Sequence, residues 1–170
     1  GSLEFAERST IRTKGGSLQP LDPASSQLKF EKNSEIIGVS EESSLTFPEG
    51  SENNFEGEVE VREGSILTVE GLSSAVPTTI QVGSTAELFL ENLTFDETKI
   101  LGKGKVTLSG LLEPIASVDT YLSIATIQSN FTDAVLKSDG STSYRLKRGG
   151  ELGLENAISI FENVQTDLDS

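Results

Sequence analysis

A short core of apolar, variable and apolar residues returns six times in the first 110 residues of the chain. The six cores are Leu3-Glu4-Phe5, Leu28-Lys29-Phe30, Leu45-Thr46-Phe47, Leu67-Thr68-Val69, Leu88-Phe89-Leu90 and Val106-Thr107-Leu108. Their first residues lie 17 to 25 positions apart, and a recurring spacing near 20 is typical of stacked structural repeats. Because the side chains of a strand alternate between its two faces, each core predicts a strand with one buried face.

This repeat predicts an all-β fold, a right-handed parallel β-helix in which each core forms one rung. A single rung is too thin to bury its own apolar face, and stacking rungs at about 4.8 Å buries a continuous column. The unequal spacing of the cores favours an irregular right-handed β-helix over a strict short-period one. An antiparallel β-sandwich and a trimeric fibre shaft are alternative folds, because both also use short strands.

Residues that suit tight corners flank the cores. Glycine supplies the positive φ that a sharp bend between strands requires, and asparagine tolerates the left-handed region best among residues with a Cβ. The predicted corner residues are Gly64, Gly71, Gly83, Gly104, Gly110, Asn33, Asn53, Asn54 and Asn92.

The repeat weakens after Gly110. Residues 121–127 predict a strand, and Asp139-Gly140 between two apolar runs predicts a hairpin. We expect residues 1–113 to form β-helix rungs and residues 114–170 to form irregular rungs or a β-rich cap of the same domain, because a solenoid needs its open end covered.

The chain is strongly acidic, with 27 Asp and Glu against 13 Lys and Arg and a formal net charge of −14. This sign disfavours nucleic acid and anionic membranes as partners. The sequence contains neither Cys nor His, which excludes thiolate nucleophiles, imidazole bases, and zinc sites built from those residues. We therefore expect no metal site, no cofactor and no membrane insertion of this segment.

Carboxylates are candidates for a catalytic pair, because many β-helices cleave polysaccharides with clustered acidic residues. Asp96 and Glu97 are adjacent, so on a strand they point to opposite faces. Glu58 and Glu60 share a face, but their alternation with Val59 and Val61 is typical of the solvent side of a strand. We expect that the chain is not an enzyme and has no catalytic residues.

Two tetrapeptides resemble a known family in their order along the chain. Gly15-Gly16-Ser17-Leu18 is followed by Phe30-Glu31-Lys32-Asn33, and a second Phe-x-x-Asn stands at residues 89–92. This order resembles the chlamydial polymorphic membrane proteins, autotransporter adhesins built on repeated Gly-Gly-Ala-Ile/Leu and Phe-x-x-Asn tetrapeptides. The resemblance covers residues 3–50 and part of 83–95. It departs from the family pattern in the serine at position 17 and in the missing Gly-Gly before Phe89.

The motif residues implied by the resemblance also have a structural interpretation. Phe30 and Phe89 are expected to point inward and stack on neighbouring rungs. Asn33 and Asn92 are expected to turn corners with their amides bonded to backbone or to each other, and Gly15-Gly16 to permit a sharp bend. On this interpretation, Ser17, Leu18 and the other motif residues support the fold before they contact any partner.

The resemblance implies an adhesin passenger segment at the bacterial cell surface, part of a larger protein anchored in the outer membrane, with a role in virulence. The expected partner is a host-cell surface protein, and self-association through uncapped ends is a further expectation. The alternatives are a mechanical spacer that lifts another domain from the cell, and a polysaccharide-acting β-helix or phage tailspike fragment.

Overall fold

The structure is a computed structural model, and it describes residues 2–20, 22, 25, 27–30, 33–48, 55, 57–74, 78–115, 120–137, 142–146, 151–155, 158–159 and 165–168. The strands in these residues are β1 (Ser2–Phe5), β2 (Thr10–Leu18), β3 (Gln27–Phe30), β4 (Ser34–Thr46), β5 (Gly57–Val61), β6 (Ser65–Glu70), β7 (Ser73–Ser74), β8 (Thr78–Val82), β9 (Glu87–Glu91), β10 (Thr94–Phe95), β11 (Glu97–Gly102), β12 (Lys105–Pro114), β13 (Tyr121–Ala125), β14 (Gln128–Leu136), β15 (Ser143–Leu146), β16 (Glu151–Glu155), β17 (Ile158–Ser159) and β18 (Gln165–Leu168). No described residue is helical.

All strand pairs among the described residues are parallel. Sixteen strands form one continuous sheet, and β1 and β3 form a separate two-stranded sheet. The larger sheet coils into a β-solenoid of about five turns. The predicted parallel solenoid is therefore confirmed, whereas an antiparallel sandwich would need neighbouring strands that run in opposite directions.

Two long walls make up most of the solenoid. Wall A consists of residues 10–13 and 34–38 followed by β5, β8, β11, β13, β15 and β18. Wall B consists of residues 14–18, residues 41–46, β6, β9, residues 105–109, residues 128–132 and β16. A short third wall contains β7, β10 and the end of β12. The chain passes from wall A to wall B once in each turn.

Columns of apolar side chains fill the interior between the walls. One inward column of wall A is Ile36, Val59, Ile80, Ile100 and Ile124, and one inward column of wall B is Leu45, Val69, Leu90, Leu108 and Phe131. All ten are at most 3% exposed. β-Branched and aromatic residues are the ones favoured on a pleated, half-buried surface. Each buried side chain of this size stabilises the fold by about 1.5–3 kcal/mol relative to an exposed one.

The order of the six predicted rungs is partly wrong. Leu67, Leu88 and Val106 are register partners on successive strands, as predicted. Leu28 pairs with Leu3 on β1, however, while Leu45 pairs with Leu18 on wall B, so the cores at 28 and 45 lie on different walls rather than on successive turns. The alternation of apolar residues has the same period on every wall, and the pattern alone therefore does not distinguish the next wall from the next turn.

The predicted corner glycines serve two different purposes. Gly64, Gly71 and Gly110 have the expected positive φ, of 78°, 77° and 68°. Gly83 and Gly104 do not, and they instead allow the backbones of adjacent turns to approach. A Cβ on Gly104 would lie 2.3 Å from the carbonyl oxygen of Gly83. Asn53 and Asn54 lie outside the described residues.

The hairpin predicted at Asp139-Gly140 is wrong. β14, which precedes it, pairs in parallel with β12, β16 and β17, and β15, which follows it, pairs in parallel with β13 and β18. The chain therefore continues onto wall A after this dipeptide instead of returning beside β14. Asp139 and Gly140 themselves lie outside the described residues.

Candidate binding surface

The Gly-Gly motif lies at the bend of β2, where the chain leaves wall A and enters wall B. Gly15 and Gly16 have φ of 72° and 92°, and the expected sharp bend is confirmed. The Gly15 amide donates a hydrogen bond to Ser43 Oγ at 3.0 Å. Ser17 and Leu18 continue the strand beside Ser44 and Leu45 of β4. The bend itself is therefore structural, since a side chain at either glycine would be strained at this φ.

The first Phe-x-x-Asn motif has its Phe at the end of β3 and its Asn directly before β4. Phe30 is the register partner of Phe5 in the β1–β3 pair, and its side chain lies outside the described part of the structure. Asn33 is exposed and has φ of 58°, directly before β4 begins. The turn expected at Asn33 is therefore confirmed, and the hydrogen bond expected of its amide stays a prediction.

The second Phe-x-x-Asn motif lies on β9 and differs from expectation. Leu88 and Leu90 are buried at 0% and 1% exposure, and Phe89 between them is only half-buried and points outward. The expectation that Phe89 packs inward is wrong, because strand alternation gives the two leucines the inward positions. Asn92 has φ of 56°, and its Oδ1 accepts a hydrogen bond from the Leu111 amide at 2.9 Å, as a corner residue should.

Phe89 lies in the middle of the outer face of wall B, which consists of three outward columns. They are Glu42, Ile66, Glu87, Lys105 and Gln128; Ser44, Thr68, Phe89, Thr107 and Asn130; and Thr46, Glu70, Glu91 and Ser109. Thr68 and Thr107 are the register partners of Phe89 on the adjacent strands. Glu87 and Glu91 lie two positions before and after Phe89, on the same side of the strand.

This face combines one aromatic ring with small polar side chains and carboxylates. The short side chains of Thr68 and Thr107 leave the ring of Phe89 accessible between them, while Glu70 and Glu91 add negative charge beside it. The backbone beneath is a regular parallel sheet, which fixes the direction in which the Phe89 side chain leaves the strand. Such a surface suits a partner that offers an apolar group next to cationic groups.

The carboxylates considered for catalysis are not brought together as a site. Glu60 is exposed and accepts a hydrogen bond from Arg62 Nε at 3.3 Å, and Glu58 is exposed on the same strand. Asp96 lies in a bend between β10 and β11, and Glu97 begins β11. Among the described residues, no group of three or more Asp, Glu, His or Cys side chains could hold a metal ion.

A corner centred on Glu63 was not expected from the sequence. Glu63 follows β5, and its carboxylate accepts hydrogen bonds from the hydroxyl and amide of Thr85 at 2.6 and 2.8 Å and from the amide and hydroxyl of Ser84 at 2.7 and 2.9 Å. These groups, those of Thr85 first, lower the pKa of Glu63 from 4.5 to about 2. The only sequence signal is the 21-residue offset between Glu63 and Ser84, which equals the register offset between Val61 and Val82.

Comparison with protein-family models, with curated proteins and with solved structures finds no match to this chain. The described part of the structure contains no helix long and apolar enough to span a membrane.

Proposed function

We propose that this chain is a non-catalytic adhesin passenger segment, which presents the outer face of wall B to a protein receptor on a host cell. The segment would belong to a bacterial surface protein anchored in the outer membrane. The single observation that supports this proposal most strongly is the outward position of Phe89 on β9, between Glu87 and Glu91. The resemblance of the Gly-Gly and Phe-x-x-Asn order to the chlamydial polymorphic membrane proteins supports the same class of function.

An outward aromatic on a rigid wall has the properties of a binding anchor. Aromatic side chains are enriched at the centre of protein interfaces, where a few buried rings account for most of the binding energy. Because Phe89 belongs to a strand paired on both sides, little backbone freedom is lost when a partner covers the ring. A threonine at this position would satisfy the fold equally well, since Thr68 and Thr107 occupy the same column.

The charge of the face indicates the chemistry of the receptor. The outer face of wall B carries four carboxylates, those of Glu42, Glu70, Glu87 and Glu91. The cation in its outward columns is Lys105. A receptor surface with Lys or Arg around an apolar pocket would complement this arrangement. Long-range attraction of this kind raises the association rate and weakens as salt screens it.

The test is adhesion of beads coated with the folded segment to epithelial cells, with free segment as the competitor. Phe89→Ala should reduce adhesion, whereas Leu111→Ala, which trims a half-buried apolar side chain outside the outer face of wall B, should not. Equal adhesion of all three proteins would contradict a contact role for Phe89. If the parent protein itself does not adhere to any host cell type tested, the mechanical spacer becomes the better function.

The polysaccharide-acting alternative has a separate test. Incubation of the folded segment with acidic glycans should release no new reducing ends, and release of such ends would contradict the adhesin proposal. Self-association through the solenoid ends stays a prediction, and sedimentation of the segment over a range of concentrations measures it.

A further inference from the structure

Three lysines lie at and beside the corner between β11 and β12. Lys99, Lys103 and Lys105 are all exposed. Together with half-buried Leu101, they occupy every second position from 99 to 105. We call residues 99–105 the lysine arc. Lys99 and Lys103 are four residues apart in the sequence and Lys103 and Lys105 are two apart, and the chain turns a corner at residues 102–104.

The corner within the arc is held firmly in place. Gly102 has φ of 119°, and a Cβ there would lie 2.1 Å from the Val82 carbonyl oxygen. The Gly104 amide donates to that same carbonyl at 3.2 Å, and the Lys105 amide donates to the Ala86 carbonyl. The backbone of the arc is thus fixed against the preceding turn, with Lys99 on the outer side of wall A, Lys103 at the corner and Lys105 on the outer face of wall B.

Among the described residues, the surroundings of the arc contain two carboxylates, but neither forms an ion pair with its lysines. The register partners of Lys99 are Thr79 and Ser123, and those of Leu101 are Gln81 and Ala125. Lys105 has Glu87 on one side and Gln128 on the other, and Glu97 lies two positions before Lys99. In the part of the chain that the structure describes, none of the three lysines forms an ion pair.

The next turns extend this surface with apolar and cationic groups. Ile127, at the following corner between β13 and β14, is 54% exposed. Arg145, two strands beyond Lys99 in the same column, stacks on the ring of Tyr121 at 4.7 Å from its centroid. The arc and its neighbours therefore form a positive edge with aliphatic contacts, on a chain whose overall charge is −14.

We propose that the lysine arc binds a linear sulfated polysaccharide, which follows the outer side of wall A to the corner and adjoins the outer face of wall B at Lys105. A wide anionic surface such as a bilayer would also meet Glu58, Glu60 and Glu63, which lie on the preceding turns, and would be repelled. A narrow polymer can follow a single turn without approaching those carboxylates. Its sulfate groups would pair with the lysines, and its sugar rings would rest on Leu101 and Ile127.

The side chains of the arc also favour a sugar over a single-stranded nucleic acid. Proteins that bind single strands stack the bases on exposed aromatic rings. The apolar members of this surface are aliphatic, and the nearby ring of Tyr121 is covered by Arg145.

The test is calorimetric titration of the 170-residue chain with heparin-derived oligosaccharide, at low and at physiological salt. The parent should bind at low salt and more weakly as salt rises. The triple variant Lys99→Gln, Lys103→Gln, Lys105→Gln should lose at least about tenfold in affinity, since each cation near an anionic surface adds to the free energy of binding. The control Arg8→Gln, Lys14→Gln, Lys137→Gln makes the same change in net charge and should stay within about twofold of the parent.

Several outcomes would overturn the proposal. Equal loss in the two triple variants would mean that only net charge matters, and undiminished binding by the arc variant would remove the arc from the site. Equally tight binding of desulfated oligosaccharide, of single-stranded DNA or of anionic phospholipid vesicles would assign the arc to another class of ligand. Because Lys99, Lys103 and Lys105 are exposed, thermal unfolding of the arc variant should match that of the parent and exclude a folding defect.

Discussion

The inward columns and the outer face of wall B share the same strands but differ in what fixes their residues. On β9, Leu88 and Leu90 complete columns that run the length of the core, and Phe89 between them contacts only its neighbours on the surface. Substitution of an inward residue leaves a cavity, whereas substitution of an outward residue changes what the wall presents. The difference indicates that the fold imposes apolar residues at the inward positions, whereas the outward column of Phe89 has threonine on both adjacent strands.

The largest loss of stability is expected for a substitution in an inward column. Leu90→Ala removes a side chain that is 1% exposed and stacks between Val69 and Leu108, so it should lower the free energy of unfolding by about 2–5 kcal/mol. Chemical denaturation with urea measures the change. A loss below about 1 kcal/mol would mean that this column is not close-packed.

The second largest loss of stability is expected for a substitution at a corner of the solenoid. Asn92→Ala removes the acceptor of the Leu111 amide and forces alanine into the left-handed region, and we expect a loss of about 1–2 kcal/mol. Asn92→Gly is the control, because glycine keeps the left-handed backbone at little cost and removes only the hydrogen bond. If the alanine and glycine variants are equally stable, the backbone conformation at position 92 contributes nothing.

A substitution on the outer face of wall B should give the smallest loss of stability. Phe89→Ala is expected to lower the free energy of unfolding by less than about 1 kcal/mol, since the side chain is half-buried and leaves no enclosed cavity. Urea denaturation beside Leu90→Ala makes the comparison within one strand. A loss as large as that of Leu90→Ala would mean that Phe89 belongs to the core.

Low pH should lower the stability of the fold through Glu63 and not through Leu90, Asn92 or Phe89, whose side chains do not titrate. The pKa of Glu63 is about 2 in the folded chain against an ordinary value of 4.5, so this group stabilises the fold fully above about pH 4.5 and loses its contribution as the pH falls towards 2. Glu63→Gln should therefore flatten the decline of melting temperature between pH 5 and about pH 2. The exposed Glu58→Gln is the control, and an equally flattened profile for it would contradict the specific role of Glu63.

The sequence predicts the strands and their inward residues well, because alternation in segments such as 67–69 and 88–90 is a local property. The corners at Gly15, Gly16 and Asn92 were also predictable, since positive φ selects a few residue types. These local signals account for the all-β class and for most of the columns.

The relations between distant segments were not predictable in the same way. The succession of walls at Leu28 and Leu45, and the hydrogen bonds from Ser84 and Thr85 to Glu63, depend on register across about 20 residues. Asp139-Gly140 suits a hairpin and a connection between turns equally well, and only the pairing of β14 and β15 separates the two. The direction of Phe89 was missed because a Phe-x-x-Asn spacing contains no information about which face of the strand is buried.

The most direct test of the proposed function measures unfolding and adhesion on the same preparation of Phe89→Ala. The account predicts a urea midpoint close to that of the parent, together with a clear loss of bead adhesion to host cells. Adhesion equal to that of the parent, from a variant that is folded and stable, would contradict the assignment of the outer face of wall B as the receptor-binding surface.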